Sequence, residues 1–518
     1  MNTLLDLLQD KPSDKDLISK ISPKKKQLST QDKKSRKLLQ QLDDIESTVQ
    51  LKLGKYKDDY IVITTYNELT EYLKDCTFLS LDTETTGLDP IINKIVGLCL
   101  YIPNKKACYV PINHIDRNGI RIEEQLNERE IYNALYPIFN SNCFVVMFNA
   151  KFDIRVLRNQ CKLNNARCDW DCYIAARLLN ENEESNALKK LHQKYVLDNK
   201  EDEFTFDELF KGITFDKVSI ESAYLYASHD AIITYELYLF QKRWLNPDIE
   251  REDLRRIYYV FKNIEMPCIE YLADMEDNGI MFDFNKHKEL SEKYHKLLEE
   301  QINKVYYEIH QYKDLIARYN SPKLSNPINL NSPTQIAILL YDILQVESVD
   351  RKNPRGTGAD ILEKIDLPLC KELIKYKTLS KLVSAFIDEL PTYVNSKDNK
   401  IHCSINIYGA KTGRMSCQDP NLQQVPSHNK DIRQLFKSTD GYILMSSDFS
   451  QQEPRLMAEM CGDEKMINAY IDGKDLYAQI ASIAFDTDYG NCLEFNPDGT
   501  TNPKGKERRT SAKSILLG

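Results

Sequence analysis

The sequence predicts an α/β domain, then a mainly helical region, then an incomplete α+β region. Three observations carry this. Phe78 to Leu81, Ile95 to Leu100 and Cys143 to Phe148 are short apolar runs that read as strands. Helical stretches such as Asp171 to Leu179 and Ser222 to Phe240 alternate with or follow them. Lys286 to Tyr319 is then one long charged pattern with spaced apolar residues, as a surface helix requires. The 518 residues suggest about three or four domains.

Taken in order, residues 1–58 form a charged, Gly/Pro-poor extension with basic knots at Lys24-Lys25-Lys26 and Lys33-Lys34-Ser35-Arg36-Lys37. It reads as a solvated helix or disordered tether, with a nucleic-acid or partner-binding arm as the sharper alternative. Residues 59–246 hold the α/β pattern and 247–400 the helical one. Ser332-Pro333-Thr334-Gln335 is a helix start, with Ser as cap, Pro first and Gln third. Lys371, Lys375, Lys377 and Lys381 lie along another helix, either as a solvated face or as a phosphate-contacting one. In 401–518, Ile401 to Ile405 is β-like and leads into the densest motifs. Asp486 to Lys506 is rich in Asn, Gly, Asp and Pro and reads as a surface loop, with a helix from Glu507.

Composition excludes several classes. A net charge of −9 rules out a uniformly basic nucleic-acid coat, though not a local basic cleft. No apolar run approaches the ~18–20 residues of a membrane span, and the first residues lack a signal peptide's regions. Thirteen scattered cysteines are expected to stay reduced in a cytosol. Cys161, Cys168 and Cys172 lack a second pair at zinc-ligand spacing. No phosphate loop, dinucleotide fingerprint or fixed-period repeat occurs.

Four carboxylates and a phenol carry the first chemical signal. Leu79-Ser80-Leu81-Asp82-Thr83-Glu84 is an apolar strand ending in acids at i and i+2, which point to one side. Such like charges repel unless a cation lies between them, and hard divalent ions take oxygen ligands. Val145 to Phe148 leads into Asn149-Ala150-Lys151-Phe152-Asp153 and delivers another acid just past a strand. Tyr226 and Asp230 stand at i and i+4 of an expected helix and share a face.

These stretches resemble the three motifs of the DEDD 3′→5′ exonucleases, in the subgroup with tyrosine. The resemblance implies an RNase H-like fold, a mixed sheet flanked by helices. It implies that Asp82, Glu84, Asp153 and Asp230 hold two Mg²⁺ ions, with Mn²⁺ able to substitute. It also implies that Tyr226 orients the attacking water.

The second signal lies further on. Tyr408 to Ser416, with Thr412, Gly413 and Arg414, precedes Asp419-Pro420-Asn421-Leu422-Gln423-Gln424-Val425-Pro426. Arg, Asn and Gln near glycine suit close approach to the minor-groove edges of nucleic acid. Leu444 to Leu456 reads as a strand delivering Asp448, then a helix beginning near Pro454. Arg509 and Lys513 stand at i and i+4 on one helix face.

This region resembles the family A DNA polymerases, of the bacterial polymerase I type. The resemblance covers roughly 60–518 and includes Glu265-Met266-Pro267, Leu272 to Ile280 and Gly473 to Tyr477. It implies a helical thumb and a partial palm with the start of the fingers. Asp448 would be the metal-binding catalytic acid, and Glu453, Arg509 and Lys513 would meet the nucleotide. Asn149, Thr412, Arg414, Asn421, Gln423, Gln424 and Arg455 would contact DNA. Phe449, Gln452, Pro454 and Leu517 depart from the family pattern, so sugar discrimination does not carry over.

The family's motif B runs past Gly518, and its motif C does not occur in these residues. The expectation is the N-terminal portion of a proofreading DNA polymerase, competent as an exonuclease but not alone as a polymerase. The alternatives are a stand-alone processing exonuclease and a non-enzymatic DNA-binding fragment. Expected partners are single-stranded 3′ ends and primer–template, with dNTP and a complementary fragment if completed. A bacterial cytosol is expected. The composition and the lack of room for a 5′-nuclease domain are compatible with a phage source.

Overall fold

The computed structural model describes residues 30–200, 203–210, 212–319, 321–410, 412–427 and 429–517. The basic knot at 24–26 lies outside them, and the side chains described begin at Lys37. The chain forms two compact units, Met1–Lys437 and Ser438–Gly518. The expected divisions at 246/247 and 400/401 therefore fall inside the first unit.

The first unit is built on a six-stranded mixed sheet in the order β1-β4-β3-β2-β5-β6. Its strands are β1 (Tyr60–Val62), β2 (Phe78–Thr85), β3 (Ile95–Tyr101), β4 (Ala107–Pro111), β5 (Phe144–Met147) and β6 (Trp170–Asp171). β2, β3 and β4 run antiparallel in turn, while β5 and β6 continue parallel to β2. Helices cover both faces, so β3 is buried from Ile95 to Leu100 and reads as an unbroken apolar run. Gly97 of β3 pairs with Glu84, and a Cβ there would lie 2.1 Å from the Tyr109 hydroxyl.

The flanking helices are α1 (Thr30–Leu53), α2 (Ala150–Cys161), α3 (Cys172–Leu179), α4 (Leu188–Tyr195) and α5 (Ile220–Gln241). Leu79, Leu81, Val146 and Ile154 belong to one core. Val96, Tyr109, Leu225 and Tyr226 belong to a second. α5 is apolar on nearly every face because it is buried against the sheet, α1 and α4. α1 differs from the solvated helix or tether expected. Leu42, Ile45, Val49 and Leu53 form one face at helical spacing and are buried in the second core. Charge dominates its composition, but one apolar stripe is enough to dock a helix.

The helical region contains α6 (Met266–Asn278), then strand β7 (Ile280–Phe282), then α7 (Phe284–His310) and α8 (Pro368–Leu382). The long pattern from Lys286 ends as a helix at His310, and a separate short helix spans Lys313–Arg318. The Ser332 hydroxyl accepts from the Gln335 amide at 3.3 Å, as a cap should. The Gln335 side chain does not close the capping box. It accepts instead from Ser325 Oγ and the Asn329 amide at 2.9 and 2.8 Å. On α8, Lys371 pairs with Asp366, Lys375 with Glu372, and Lys377 bonds the Thr357 carbonyl.

The β-like stretch from Ile401 splits in two. β8 (Val394–Asn395) and β9 (Lys400–Ile401) join β7 in a sheet completed by residues Phe436–Lys437. β10 (Ser404–Asn406) pairs with β11 (Ser416–Gln418) as a separate hairpin. A buried ionic joint ties α2, α6 and β10 together. Glu276 of α6, 2% exposed, meets Arg155 at 2.6 Å and also pairs with Lys151. Lys151 bonds the Ile405 carbonyl as well, and Arg155 reaches Asp277 at 2.7 Å.

The second unit contains α9 (Gln452–Cys461), α10 (Leu476–Ala484) and α11 (Pro503–Leu517), the last two enclosing a small core of Ala478, Ala481, Cys492 and Ala512. The strand expected to deliver Asp448 is not formed. Ile443 and Met445 are 88% and 87% exposed, and no described strand pairs with them. Apolar sequence favours a strand only where a neighbour completes the ladder. The stretch from Asp486 to Lys506 is more ordered than a plain loop. It holds a turn of 3₁₀ helix, Tyr489–Cys492, and a Phe495–Thr501 bridge. α11 starts at Pro503, before the expected Glu507, with the proline at its first position.

Candidate active site

β2 brings Asp82 and Glu84 to one side of the sheet, and both are half-buried. Asp153 arrives on the first turn of α2, 2% exposed. Its Oδ1 accepts from the amide and hydroxyl of Thr83 at 3.0 and 2.6 Å, which ties it to the strand residue that separates the other two acids. The turn before it works because Asn149 takes a left-handed conformation, φ 60°. Asp171 accepts from the amides of Asn149 and Ala150 at 3.0 and 2.9 Å and from that of Tyr173 at 2.8 Å. One carboxylate thus fixes the start of α2 and caps α3.

Tyr226 and Asp230 come from α5, 6% and 8% exposed. The Tyr226 ring packs edge-on against Phe210 at 5.1 Å. Beside Asp230, His229 is held by the Tyr60 hydroxyl at 2.8 Å and by Glu203 at 3.0 Å. Burial opposes the charge on Glu203, but its bonds to His192 and His229 hold its carboxyl down at about 2.

The acids disturb one another strongly. Burial, then the charges of Asp153, Glu84 and Asp230, pushes Asp82 well above the usual carboxylate range. Burial, then Asp230, does the same to Glu84. Burial raises Asp153 to about 7 against the Thr83 bonds, and raises Asp171 to about 6. The Tyr226 phenol is pushed far up by burial and then by Asp230, so it stays a neutral donor. The donor set fits a hard divalent ion, because such ions take oxygen ligands and offset the repulsion among crowded carboxylates. Cys99, opposite Asp82 on β3, brings its thiol within 4.8 Å of both strand acids. Burial keeps that thiol protonated, and hard ions prefer oxygen.

These shifts give the metal-free protein a pH-dependent stability. A carboxyl raised on folding means the native chain binds protons that the unfolded chain has released, so stability falls as pH rises. The window runs from about pH 4, the unfolded value, to about pH 7, set by Asp153 with Asp171 acting in the same direction. The melting temperature in EDTA is expected to be higher at about pH 5.5 than at about pH 7.5, and saturating Mg²⁺ to flatten the slope. Melting curves with a slope of opposite sign would contradict this assignment.

Sequence reasoning therefore singled out the five residues that gather here. It missed Thr83 and Asp171. Thr83 stands inside the Asp-x-Glu stretch, which was the available signal. Asp171 had none beyond its place before a helix.

The polymerase-like residues are divided between the two units. In the first unit, Thr412 and Arg414 are exposed on the β10–β11 loop. Asn421 caps a short turn by accepting from the Gln423 amide at 3.1 Å, and the Gln423 side chain donates to the Met415 carbonyl at 3.2 Å. Gln424 lines a 910 Å³ cavity with Phe386 and Lys430. In the second unit, Asp448 is exposed. Arg455 donates to the Ser450 carbonyl at 2.9 Å and stacks over Tyr470. Arg509 pairs with Asp475 at 2.8 Å and stacks over Tyr477, whose phenol also feels Glu453. Lys513 is exposed one turn on.

Comparison with known proteins agrees with this division. The family described as 3'-5' exonuclease matches residues 60–245, and that described as DNA polymerase family A matches 288–516. DNA polymerase I of Chloroflexus aurantiacus is 31% identical over 477 residues, 88% of this chain and 45% of that protein. DNA polymerase I of Pseudomonas aeruginosa is 30% identical over 466 residues, 86% of this chain and 46% of its own length. This chain thus spans under half the length of these relatives. A solved structure of the POL domain of Pol1 from M. smegmatis, in complex with DNA primer-template and dNTP, covers 88% of this chain and 70% of its own. Its TM-score is 0.63 at 20% identity, a likeness of fold. Fold, acids and matches define a chain with a 3′-5′ exonuclease domain joined to polymerase sequence. The chain is similar to the family A DNA polymerases over residues 288–516, and to the 3'-5' exonuclease family over residues 60–245.

Proposed function

We propose that this chain removes nucleotides from DNA 3′ ends, as the proofreading part of a family A DNA polymerase acting in replication or repair in a bacterial cytoplasm. The observation that carries the reading is that Asp82 and Glu84 of one strand, Asp153 tied to the Thr83 between them, and Asp230 and Tyr226 of α5 lie near enough to feel one another's charge. The four carboxylates would hold divalent ions, with Mg²⁺ the expected metal. Bound there, the ions would supply an activated water and charge neutralisation at phosphate. Thr83 fixes the Asp153 carboxylate, so that acid cannot swing away. Tyr226 keeps its proton and can donate a hydrogen bond into the site. The exposed loop with Thr412, Arg414 and Gln423 is the surface we assign to primer–template. For the whole polymerase, we assign Asp448 to metal and Glu453, Arg509 and Lys513 to the incoming dNTP.

The direct test uses a 5′-labelled single strand. With Mg²⁺ the label is expected to move down a ladder of products one nucleotide apart, and EDTA is expected to stop it. An intact strand after incubation with Mg²⁺ or Mn²⁺ would refute the reading.

A further inference from the structure

Among the four acids stands a base with no assigned role. Lys189 lies on α4, which packs along α5, and is only 5% exposed. Its Nζ is 2.9 Å from Oδ1 of Asp230 and 3.4 Å from the centre of the Tyr226 ring. Its charge also reaches Asp82 and Glu84 and opposes the rise of both carboxyls. Asp230 Oδ1 is buried and receives no bond of hydrogen-bond geometry, so the Lys189 contact is ionic only. The same ammonium lies over the Tyr226 ring, where a cation–π contact steadies the phenol.

We propose that Lys189 is the resident counter-ion of the site: it neutralises Asp230 and holds Tyr226 when divalent metal is absent, and an entering ion competes with it for the Asp230 carboxylate. The inference rests on the reading of the acids as a metal site. It makes Lys189 a positioning residue. A fixed positive charge at this range weakens binding of a second cation in a low-dielectric setting. Without it, two buried and two half-buried acids face one another with less compensation, which destabilises the empty site.

The test uses the full chain, titrated with Mn²⁺ by calorimetry and melted in EDTA and in saturating Mn²⁺. Lys189→Met keeps the length and removes the charge. It is expected to bind Mn²⁺ about tenfold more tightly than the parent and to melt lower in EDTA, with the deficit closing in Mn²⁺. Lys189→Arg, which keeps the charge, is expected to stay near the parent in both. Mn²⁺ affinity unchanged or weakened in Lys189→Met would overturn the proposal, as would a melting deficit that Mn²⁺ leaves intact. Should the single variant not fold in EDTA, Lys189→Met combined with Asp230→Asn decides. A counter-ion costs little once its carboxylate is neutral, whereas a packing role costs the same in either background. If the parent itself binds no Mn²⁺, the metal reading of the acids fails, separately from the role of Lys189.

Discussion

Asp82→Asn is expected to slow release of nucleotides from a single strand severely while raising the melting temperature of the metal-free protein at neutral pH. The two effects share one cause. Asp82 is crowded by Asp153, Glu84 and Asp230, and burial and repulsion push its carboxyl far up. The amide removes a charge the empty fold tolerates badly, so the native state gains. It also removes a metal donor, and losing one such charge-stabilising group costs on the order of 10²–10³-fold in rate. Gel assays and melting curves in EDTA measure both. A variant that loses activity and stability together would mean that Asp82 mainly supports the fold. Full activity in the variant would remove Asp82 from the site.

The second large effect is expected at Glu276→Ala. This carboxylate receives Lys151 and Arg155 from α2 while nearly all of it is buried. Truncation leaves the half-buried Lys151 without an acidic partner and the buried Arg155 with Asp277 alone. Breaking such a pair typically costs about 3–5 kcal/mol, whereas an exposed pair contributes about 0–1 kcal/mol. Urea unfolding is expected to show a clearly lower midpoint for Glu276→Ala. Glu252→Ala, which breaks the exposed contact of Glu252 with Arg256 at 2.6 Å, is expected to leave the midpoint almost unchanged. Equal shifts in the two variants would show that the joint carries no special load. Asp153 sits between Lys151 and Arg155 on the same helix, so the joint also bears on the placement of a metal-site acid.

The acids were legible because their signal is local. Asp82 and Glu84 end a strand, Asp153 follows one, and Tyr226 and Asp230 share a helix face whatever lies around them. Lys189 was not legible for the opposite reason. In Leu188-Lys189-Lys190-Leu191 it reads as one more solvated lysine, and only the packing of α4 on α5 turns it inward. Glu276 lay in a stretch noted for its family likeness, but its partners are over 120 residues away in sequence. The segment before Asp448 failed the other way. Its apolar pattern is that of a strand, yet pairing depends on a neighbour that no local pattern supplies.

α1 has a practical bearing on how the gene is cut. The Gln50 side chain donates to the Glu221 carbonyl at the start of α5, and Arg117 holds Asp43 at 2.7 Å. Val49 is wholly enclosed, in the same cluster as Leu225 and Tyr226. A truncation beginning at residue 60, where the exonuclease match starts, would strip the wall behind the helix that carries Tyr226 and Asp230, and would bare a greasy strip for other chains to stick to.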